Sequence, residues 1–231
     1  TPHKPIKFDE VSIFPISVSH SIPDAVMYVI NTNDGAICYT GDFIIDPSMM
    51  GNYNMDLGKI AYVGKQGVLC LMCESVFSEK IGHTSPSHKL VDFFKDTLNH
   101  NENRVIFTVL ANHLYTIDEI FEAAKNMHRK IVIMGKRLQN TIAFAKKEGY
   151  LNYNESLIGD LSNVEDEDVI LLINDDLERQ YFCVEKILMN YDRYIKLKST
   201  DVVVFAEPRY DSNEKTFVKI ENDIAVAGAN S

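Results

Sequence analysis

The sequence has no apolar run approaching the roughly 18 residues that a membrane-spanning helix needs. Its first residues, Thr-Pro-His-Lys-Pro, lack the apolar core of a signal peptide. Its four cysteines show no disulfide-framework spacing and lie mostly in apolar runs, which predicts buried, reduced thiols. We therefore expect a cytoplasmic protein with no membrane partner. Because the first residue is not Met, we also expect an excised part of a longer protein.

Two kinds of cofactor motif are missing as well. Neither a Gly-x-Gly-x-x-Gly fingerprint nor a Gly-x-x-x-x-Gly-Lys-Ser/Thr loop occurs, so the sequence gives no sign of a nucleotide cofactor. Cys70-x-x-Cys73 has the spacing of half a zinc ribbon. Cys70 falls in a predicted strand and Cys73 directly follows it, however, and residues three apart in a strand point to opposite faces. We therefore do not expect a zinc ribbon.

Charge is unevenly distributed along a chain whose net charge is −10. The segment from Lys125 to Lys147 holds seven Lys or Arg and no acid, whereas Glu148 to Glu178 holds ten acids and no Lys or Arg. Two interpretations remain open: solvated helix faces beside an acidic loop, or a local basic strip that contacts phosphate. The overall acidity argues against tight, non-specific binding of nucleic acid.

The apolar periodicity predicts an antiparallel opening and then an α/β layer. Residues 11–18, 26–30 and 36–40 read as strands, the last two joined by the Asn33-Asp34-Gly35 turn. Later apolar runs alternate with amphipathic helices, one of which opens on a predicted Thr116/Glu119 capping box. This rhythm predicts a Rossmann-like, mainly parallel sheet covered on both faces. Its five predicted strands are 68–72, 105–110, 131–134, 169–173 and 202–205.

Two potential metal ligands close strands at sharp turns. His20 follows the first predicted strand and Asp42 follows the third. Each residue alone is typical of an ordinary turn, with His20 satisfied by backbone groups and Asp42 acting as a cap. A strand end is also a rigid base from which a ligand can be aimed at a metal.

Taken together, these segments carry a resemblance to a known family. His20–Ala25 and Thr40–Phe43 resemble the third and fourth metal-binding motifs of ribonuclease J, a β-CASP nuclease of the metallo-β-lactamase superfamily. Cys73–Glu79, Ala111–Thr116 and Arg129–Lys136 are similar to later segments of the same family. The similarity runs from about Phe8 to about Val226.

The resemblance implies both a fold and an activity. Residues 1–66 would form part of a metallo-β-lactamase αββα domain, and residues 67–231 a Rossmann-like β-CASP domain with a mainly parallel sheet. The implied activity is that of a zinc-dependent 5′-exo/endoribonuclease that hydrolyses RNA phosphodiester bonds in RNA maturation and decay. Two zinc ions would be the cofactors, RNA the partner, and a homo-oligomer or a paralogous subunit the assembly.

The resemblance also assigns roles to individual residues. His20 would ligate one zinc, Asp42 would bridge both, and Glu74 would support the catalytic site or place the substrate. The predicted RNA contacts at strand ends are Ser75, Asn112, His113, Tyr115, Lys136 and Arg137. Of these, Lys136 and Arg137 are positively charged and are predicted to hold phosphate, although a solvated helix start is the alternative.

Departures from the family keep three hypotheses open. The His-x-His-x-Asp-His motif that supplies most metal ligands does not occur, and Ile173–Arg179 carries aspartates where the family has a glycine-containing turn. The chain is therefore an active ribonuclease J seen in part, a weakly active or non-catalytic partner subunit or RNA-binding module, or a plain Rossmann-like binding domain. We favour the first, and we expect the 231-residue chain alone to bind zinc weakly and not to cut RNA.

Overall fold

The computed structural model of the chain describes residues 3–76, 78, 79, 81, 90–99, 103–175, 179–207 and 209–231. The chain divides into two compact units, Thr1–His88 and Lys89–Ser231. This division falls later than the domain boundary that the sequence predicts after residue 66. Within the described residues, no helix has both the length and the apolar character needed to span a membrane.

The first unit is built on a five-stranded sheet with the order β1-β2-β3-β4-β5. The first four strands pair antiparallel and the fifth pairs parallel to the fourth. Alternate residues of the sheet, including Ile16, Val18, Met27 and Val29, form its core. The elements are β1 (Ile6–Phe8), β2 (Val11–Ser17), β3 (Val26–Thr32), β4 (Gly35–Tyr39), a 3₁₀ turn (Gly51–Tyr53), α1 (Leu57–Gln66) and β5 (Cys70–Met72).

The position of β5 corrects the sequence prediction. Residues 68–72 were expected to be a buried strand of the Rossmann-like layer, but Cys70–Met72 pairs with β4 in the first sheet. All three residues of β5 are exposed, so Cys70 is not the buried thiol that was predicted, and Cys73 beyond it is exposed too. An apolar run indicates a strand without indicating which sheet the strand joins.

The second unit is a four-stranded sheet with helices on both faces. Its strand order is β7-β8-β6-β9, and all three pairings are parallel, which confirms the predicted α/β class with a parallel sheet. The strands are β6 (Val105–Leu110), β7 (Ile131–Met134), β8 (Ile170–Asp175) and β9 (Val202–Phe205). The helices are α2 (Leu90–Asn99), α3 (Leu114–Asn126), α4 (Lys136–Lys147), α5 (Phe182–Leu188) and α6 (Glu214–Val226).

Successive residues of β6 enter different cores, as expected of a strand buried on both faces. Phe107 packs in a cluster with residues of α2, α3 and α4, whereas Ile106 packs in a cluster with residues of α5 and α6. Apolar side chains along β8 divide between the two clusters in the same way. The second unit is therefore a three-layer αβα arrangement.

The start of α3 differs from the prediction. The helix begins at Leu114, with His113 at its N-cap position and no side-chain cap. Thr116 and Glu119 are buried inside the helix, so the predicted capping box is wrong. Leu114 and Ile117 belong to the core. Because their burial stabilises the helix, it begins before Thr116, the residue that local capping preference would place at the N-cap.

Candidate functional site

Two strand ends of the first unit are joined next to the predicted metal ligands. Ser19 is fully buried and its carbonyl accepts a hydrogen bond from Ile44 N at 2.9 Å, in an isolated antiparallel bridge. His20 follows Ser19 directly, and Asp42 lies two residues before Ile44. The bridge therefore fixes the turns that carry His20 and Asp42 on paired segments of one unit.

A left-handed glycine presents Asp42. Gly41 has φ +61°, a conformation that glycine adopts without the penalty of a side chain. Thr40 anchors the turn, because its N–H donates to Met72 O at 3.0 Å and its hydroxyl donates to Gly41 O at 2.8 Å. Asp42 itself is exposed, and its carboxylate accepts no hydrogen bond from any described residue. Its two oxygens are free to take a ligand.

Glu74 contacts the Asp42 turn directly. Its Oε1 accepts a hydrogen bond from Phe43 N at 2.9 Å, and the side chain is half-buried just beyond β5. This contact makes Glu74 a positioning residue for the backbone that follows Asp42. Ser75, next in the chain, is exposed, and its carbonyl accepts a hydrogen bond from Ser78 N at 3.0 Å.

The ring of His20 is held by its own turn. Its Nδ1 accepts a hydrogen bond from Ile22 N at 3.1 Å. A neutral imidazole that accepts at Nδ1 carries its proton on Nε2, which is then a donor. A metal bound through Nε2 needs the opposite tautomer, normally fixed by an Nδ1–H donated to an acceptor. The observed bond must break before His20 can ligate zinc through Nε2.

The described residues do not fit a complete zinc centre. Among them, no three His, Cys, Asp or Glu side chains form a group that could hold a metal ion. A catalytic zinc site uses at least three protein ligands in fixed geometry. His20 and Asp42 supply two potential ligands, and the Nδ1 of His20 is engaged by Ile22 N.

The remaining predicted site residues lie at the carboxyl edge of the parallel sheet in the second unit. Asn112 is exposed just after β6, whereas Lys136 and Arg137 are exposed in the first turn of α4, just after β7. Strand β8 lies between these two strands, and its Asn174 pairs with Val109 of β6. Crevices at the carboxyl edges of open α/β sheets are common ligand sites.

His113 and Tyr115 lie at the same edge, at the start of α3. His113 occupies the N-cap position and Tyr115 is the second residue of the helix, and both side chains are half-buried. Together with Asn112 they form a run of three polar or aromatic side chains directly after a core strand. Stacking on a base and hydrogen bonds to phosphate are within their chemistry.

Asn174 has an unsatisfied acceptor at this edge. Its Oδ1 is buried and has no hydrogen-bond partner among the described residues. Gly135, with φ +96°, lies beside it, so that a Cβ at Gly135 would be 3.7 Å from the Cβ of Asn174. Asn174 belongs to the segment 173–179 that departs from the family's glycine turn, and residues 176–178 of that segment lie outside the described residues.

The charge of the side chains differs from one end of this carboxyl edge to the other. Lys136 and Arg137 follow β7 at one end of the strand order, whereas Glu207 follows β9 at the other. Thr108 donates its hydroxyl to Glu207 Oε1 at 3.0 Å, which fixes this carboxylate beside β6. Beyond β9, the cation Arg209 is paired with Glu214, whereas Lys136 and Arg137 favour an anionic ligand at the β7 end.

Comparison with known proteins identifies relatives of the chain. A family model described as "Ribonuclease J, beta-CASP domain" matches residues 102–224. The chain is 29% identical over 227 residues to Ribonuclease J2 of Bacillus subtilis (strain 168) and 26% identical to Ribonuclease J 2 of Staphylococcus aureus (strain NCTC 8325 / PS 47). Each match covers 97% of this chain and 41% of the relative.

A solved structure shares the fold. The crystal structure of a protein of unknown function from Enterococcus faecalis V583 aligns over 100% of this chain and 53% of its own, with a TM-score of 0.63 and 16% sequence identity. At this level of identity the likeness concerns the fold alone.

Proposed function

Because the chain belongs to the ribonuclease J family, we propose that it is part of a ribonuclease that hydrolyses phosphodiester bonds of RNA. The match of residues 102–224 to the β-CASP domain of ribonuclease J carries this proposal. The chain spans 41% of the length of the relatives it matches, so the activity is proposed for a whole protein of which these two units are a part.

We propose that the first unit, as part of a metallo-β-lactamase domain, supplies two of the metal ligands of that protein. The free carboxylate of Asp42 suits a bridge between two cations, and His20 would add a nitrogen ligand once its ring gives up the bond from Ile22. Glu74 would hold the Asp42 turn through Phe43 N. The remaining ligands would come from residues beyond those described.

In the second unit, the carboxyl edge of the sheet would contact RNA. Lys136 and Arg137 are exposed cations that suit phosphate, and Asn112 adds hydrogen-bonding groups. The Oδ1 of Asn174, which has no hydrogen-bond partner among the described residues, would accept a hydrogen bond from a base or a ribose hydroxyl.

The bond from Ile22 to His20 favours a second candidate function. A histidine whose Nδ1 accepts a backbone N–H is satisfied without metal. In this candidate the protein is a non-catalytic, RNA-binding partner of a paralogous subunit. The two functions share the RNA-binding edge and differ in whether metal is held at His20 and Asp42.

An RNA-binding assay tests the proposed contact at the carboxyl edge of the second sheet. Fluorescence anisotropy with a labelled single-stranded RNA of about 12 nucleotides should show salt-dependent binding to the 231-residue chain. Lys136→Ala/Arg137→Ala should weaken binding and lower the salt slope by about 1.4, the value for two single-strand phosphate contacts. An unchanged slope would remove this edge from the RNA site.

A zinc titration separates the two candidates. We expect the chain alone to bind zinc weakly and to leave the RNA uncut, because a catalytic zinc needs a third protein ligand. In a longer protein that includes the remaining ligands, Asp42→Asn should lower bound zinc and abolish cleavage if the protein is a nuclease. Unchanged zinc content and cleavage in that variant would contradict the role of Asp42. RNA binding without zinc or cleavage in the unmutated longer protein would support the non-catalytic candidate.

A further inference from the structure

The basic strip seen in the sequence is divided by β7 into two groups at opposite edges of the sheet. Lys136 and Arg137 follow the strand, whereas Lys125, Arg129 and Lys130 precede it. The four residues of β7, at about 3.3 Å each, separate the two groups by about 13 Å along the strand. The group before the strand therefore belongs to a different surface from the proposed RNA edge.

A cleft opens where these preceding cations lie. Its volume is about 410 Å³, which is within the range of small-ligand sites. The turn between α3 and β7 forms one wall, and the segment after α4 forms the other. We call it the α3–β7 cleft, and the side chains that matter for binding are Lys125, His128, Lys130, Asn152, Tyr153 and Ser156.

The wall formed by the turn is rigid. Arg129 is buried and donates to Asn103 O at 2.6 Å and to Asp168 O at 2.7 Å, so this cation is used for structure. His128 adopts a left-handed conformation with φ +55°. Its N–H donates to Lys125 O at 3.2 Å, in the last turn of α3. The turn thus presents its lysines from a fixed backbone.

The two lysines of the cleft are available to a ligand. Lys130 is exposed and forms no ion pair within 4.0 Å with a described carboxylate. The nearby Asp160 accepts hydrogen bonds from the backbone and hydroxyl of Ser162, which lower its pKa together with a smaller contribution from the charge of Lys130. Lys125 is also exposed and has a loose contact of 3.8 Å with Glu122. Two ammonium groups on one rim favour a phosphate group.

The opposite wall is fixed, apolar at its base and polar at its rim. The Tyr153 ring packs on Phe121 at a centroid distance of 4.9 Å, and Lys146 Nζ lies 4.2 Å from the centre of the same ring. Burial raises the pKa of the Tyr153 hydroxyl, which therefore remains a donor at neutral pH. Asn152 and Ser156 are exposed at the rim with no hydrogen bond to their side chains from any described residue.

We propose that the α3–β7 cleft binds one nucleotide unit of single-stranded RNA, at a second site on the edge of the sheet opposite to the proposed RNA edge. Phosphate contacts Lys125 and Lys130, and the base lies against the Tyr153 wall with Asn152 and Ser156 as hydrogen-bonding groups. This inference rests on the proposed function. The apolar base beside the cations favours a nucleotide over a purely acidic peptide.

The test compares charge-matched variants of the 231-residue chain in the anisotropy assay. Lys125→Ala/Lys130→Ala should raise the Kd for the labelled RNA about tenfold at about 0.1 M salt and lower the salt slope by about 1.4. The control Lys215→Ala/Lys219→Ala removes the same charge from exposed positions of α6, whose buried residues pack on the other face of the sheet, and should change neither value. Circular dichroism would check that both variants are folded.

A second measurement does not depend on variants. Ultraviolet cross-linking of RNA containing 4-thiouridine to the unmodified chain should label the peptide that contains Asn152, Tyr153 and Ser156. Cross-links confined to other peptides would overturn the proposal, as would an RNA affinity that is equal in the cleft variant and the α6 control. Competition by poly-glutamate as strong as that by RNA of equal charge would overturn it in favour of an acidic peptide.

The outcomes also separate this site from the proposed function. Weakened binding in Lys136→Ala/Arg137→Ala alone would overturn the cleft and keep the carboxyl edge. Weakened binding in the cleft variant alone would support the cleft and remove the carboxyl edge from the RNA site. No binding of RNA to the chain would overturn both.

Discussion

Replacing Arg104 by Met should cost about 3–5 kcal/mol of the free energy of unfolding, because it breaks a buried ion pair and leaves the partner charge without compensation. Arg104 and Asp201 are 1% and 0% exposed and stand at the starts of the adjacent strands β6 and β9. Arg104 donates to both carboxylate oxygens, at 2.9 and 2.6 Å. Two further bonds run to Val164 O and Lys196 O, at 2.7 and 2.6 Å.

The partner residues determine the size of the effect. In the variant, Asp201 would retain the bond from Lys198 N at 2.8 Å, too little to compensate a buried carboxylate. The carbonyls of Val164 and Lys196 would also lose their donor. A loss of about 4 kcal/mol is a large part of the 5–15 kcal/mol that stabilises a typical protein. With a slope of about 2 kcal/mol per M, it would lower the urea midpoint by about 2 M.

A double-variant cycle separates the pair from simple loss of packing. Asp201→Asn keeps an acceptor for Lys198 N and removes the charge, so Arg104→Met/Asp201→Asn should be more stable than Arg104→Met alone. Urea unfolding followed by circular dichroism measures all four proteins. A loss below about 1 kcal/mol in Arg104→Met, or a double variant no more stable than that single variant, would refute the reasoning.

Three further predictions concern single side chains. Glu74→Ala should speed hydrogen exchange at the Phe43 amide about tenfold, the equivalent of about 1.4 kcal/mol, because it removes the acceptor of that amide. Glu74→Gln keeps an acceptor oxygen and should not speed the exchange. Equal exchange rates in both variants would contradict the contact. Burial, with the charge of Glu122, raises the pKa of Asp118 above its ordinary value of 3.8, so the stability of the protein falls as the pH rises from 3.8 through the raised pKa. Asp118→Asn should therefore raise Tm at neutral pH but not at a pH below 3.8. An equal gain in Tm at both pH values would refute this. Asp56→Ala should cost about 1 kcal/mol in urea unfolding by removing the N-cap of α1, and an unchanged midpoint would exclude that role.

The sequence predicted the parallel sheet well because its strands are buried on both faces. Apolar runs at Val105–Leu110, Ile131–Met134 and Val202–Phe205 form strands with the predicted bounds. The run at 68–72 looks the same in the sequence but lies at the exposed edge of the other sheet. Partner choice depends on contacts that are distant along the chain, and a local pattern carries no information about them.

The site was predictable to the level of strand ends, and the hydrogen bonds within it were not. The turns of His20 and Asp42 follow from where apolar strands stop. The hydrogen bond from Ile22 N to His20 Nδ1 depends on the conformation of the turn, and residue types alone do not determine that conformation. For the same reason the sequence did not show that Glu74 would reach Phe43 N rather than the substrate side of the site.

The geometry of the first unit explains how the turns of His20 and Asp42 keep their positions without a metal. The positions of the two turns are set by the buried Ser19 carbonyl bonded to Ile44, by Thr40 bonded to Met72, and by Glu74 bonded to Phe43. None of these bonds uses the side chain of a predicted metal ligand as donor or acceptor. The backbone that would present a bridging Asp is therefore stable without a cation. In the proposed metal site, loss of ligands elsewhere would therefore cost catalysis and not folding, and the non-catalytic candidate is compatible with both His20 and Asp42.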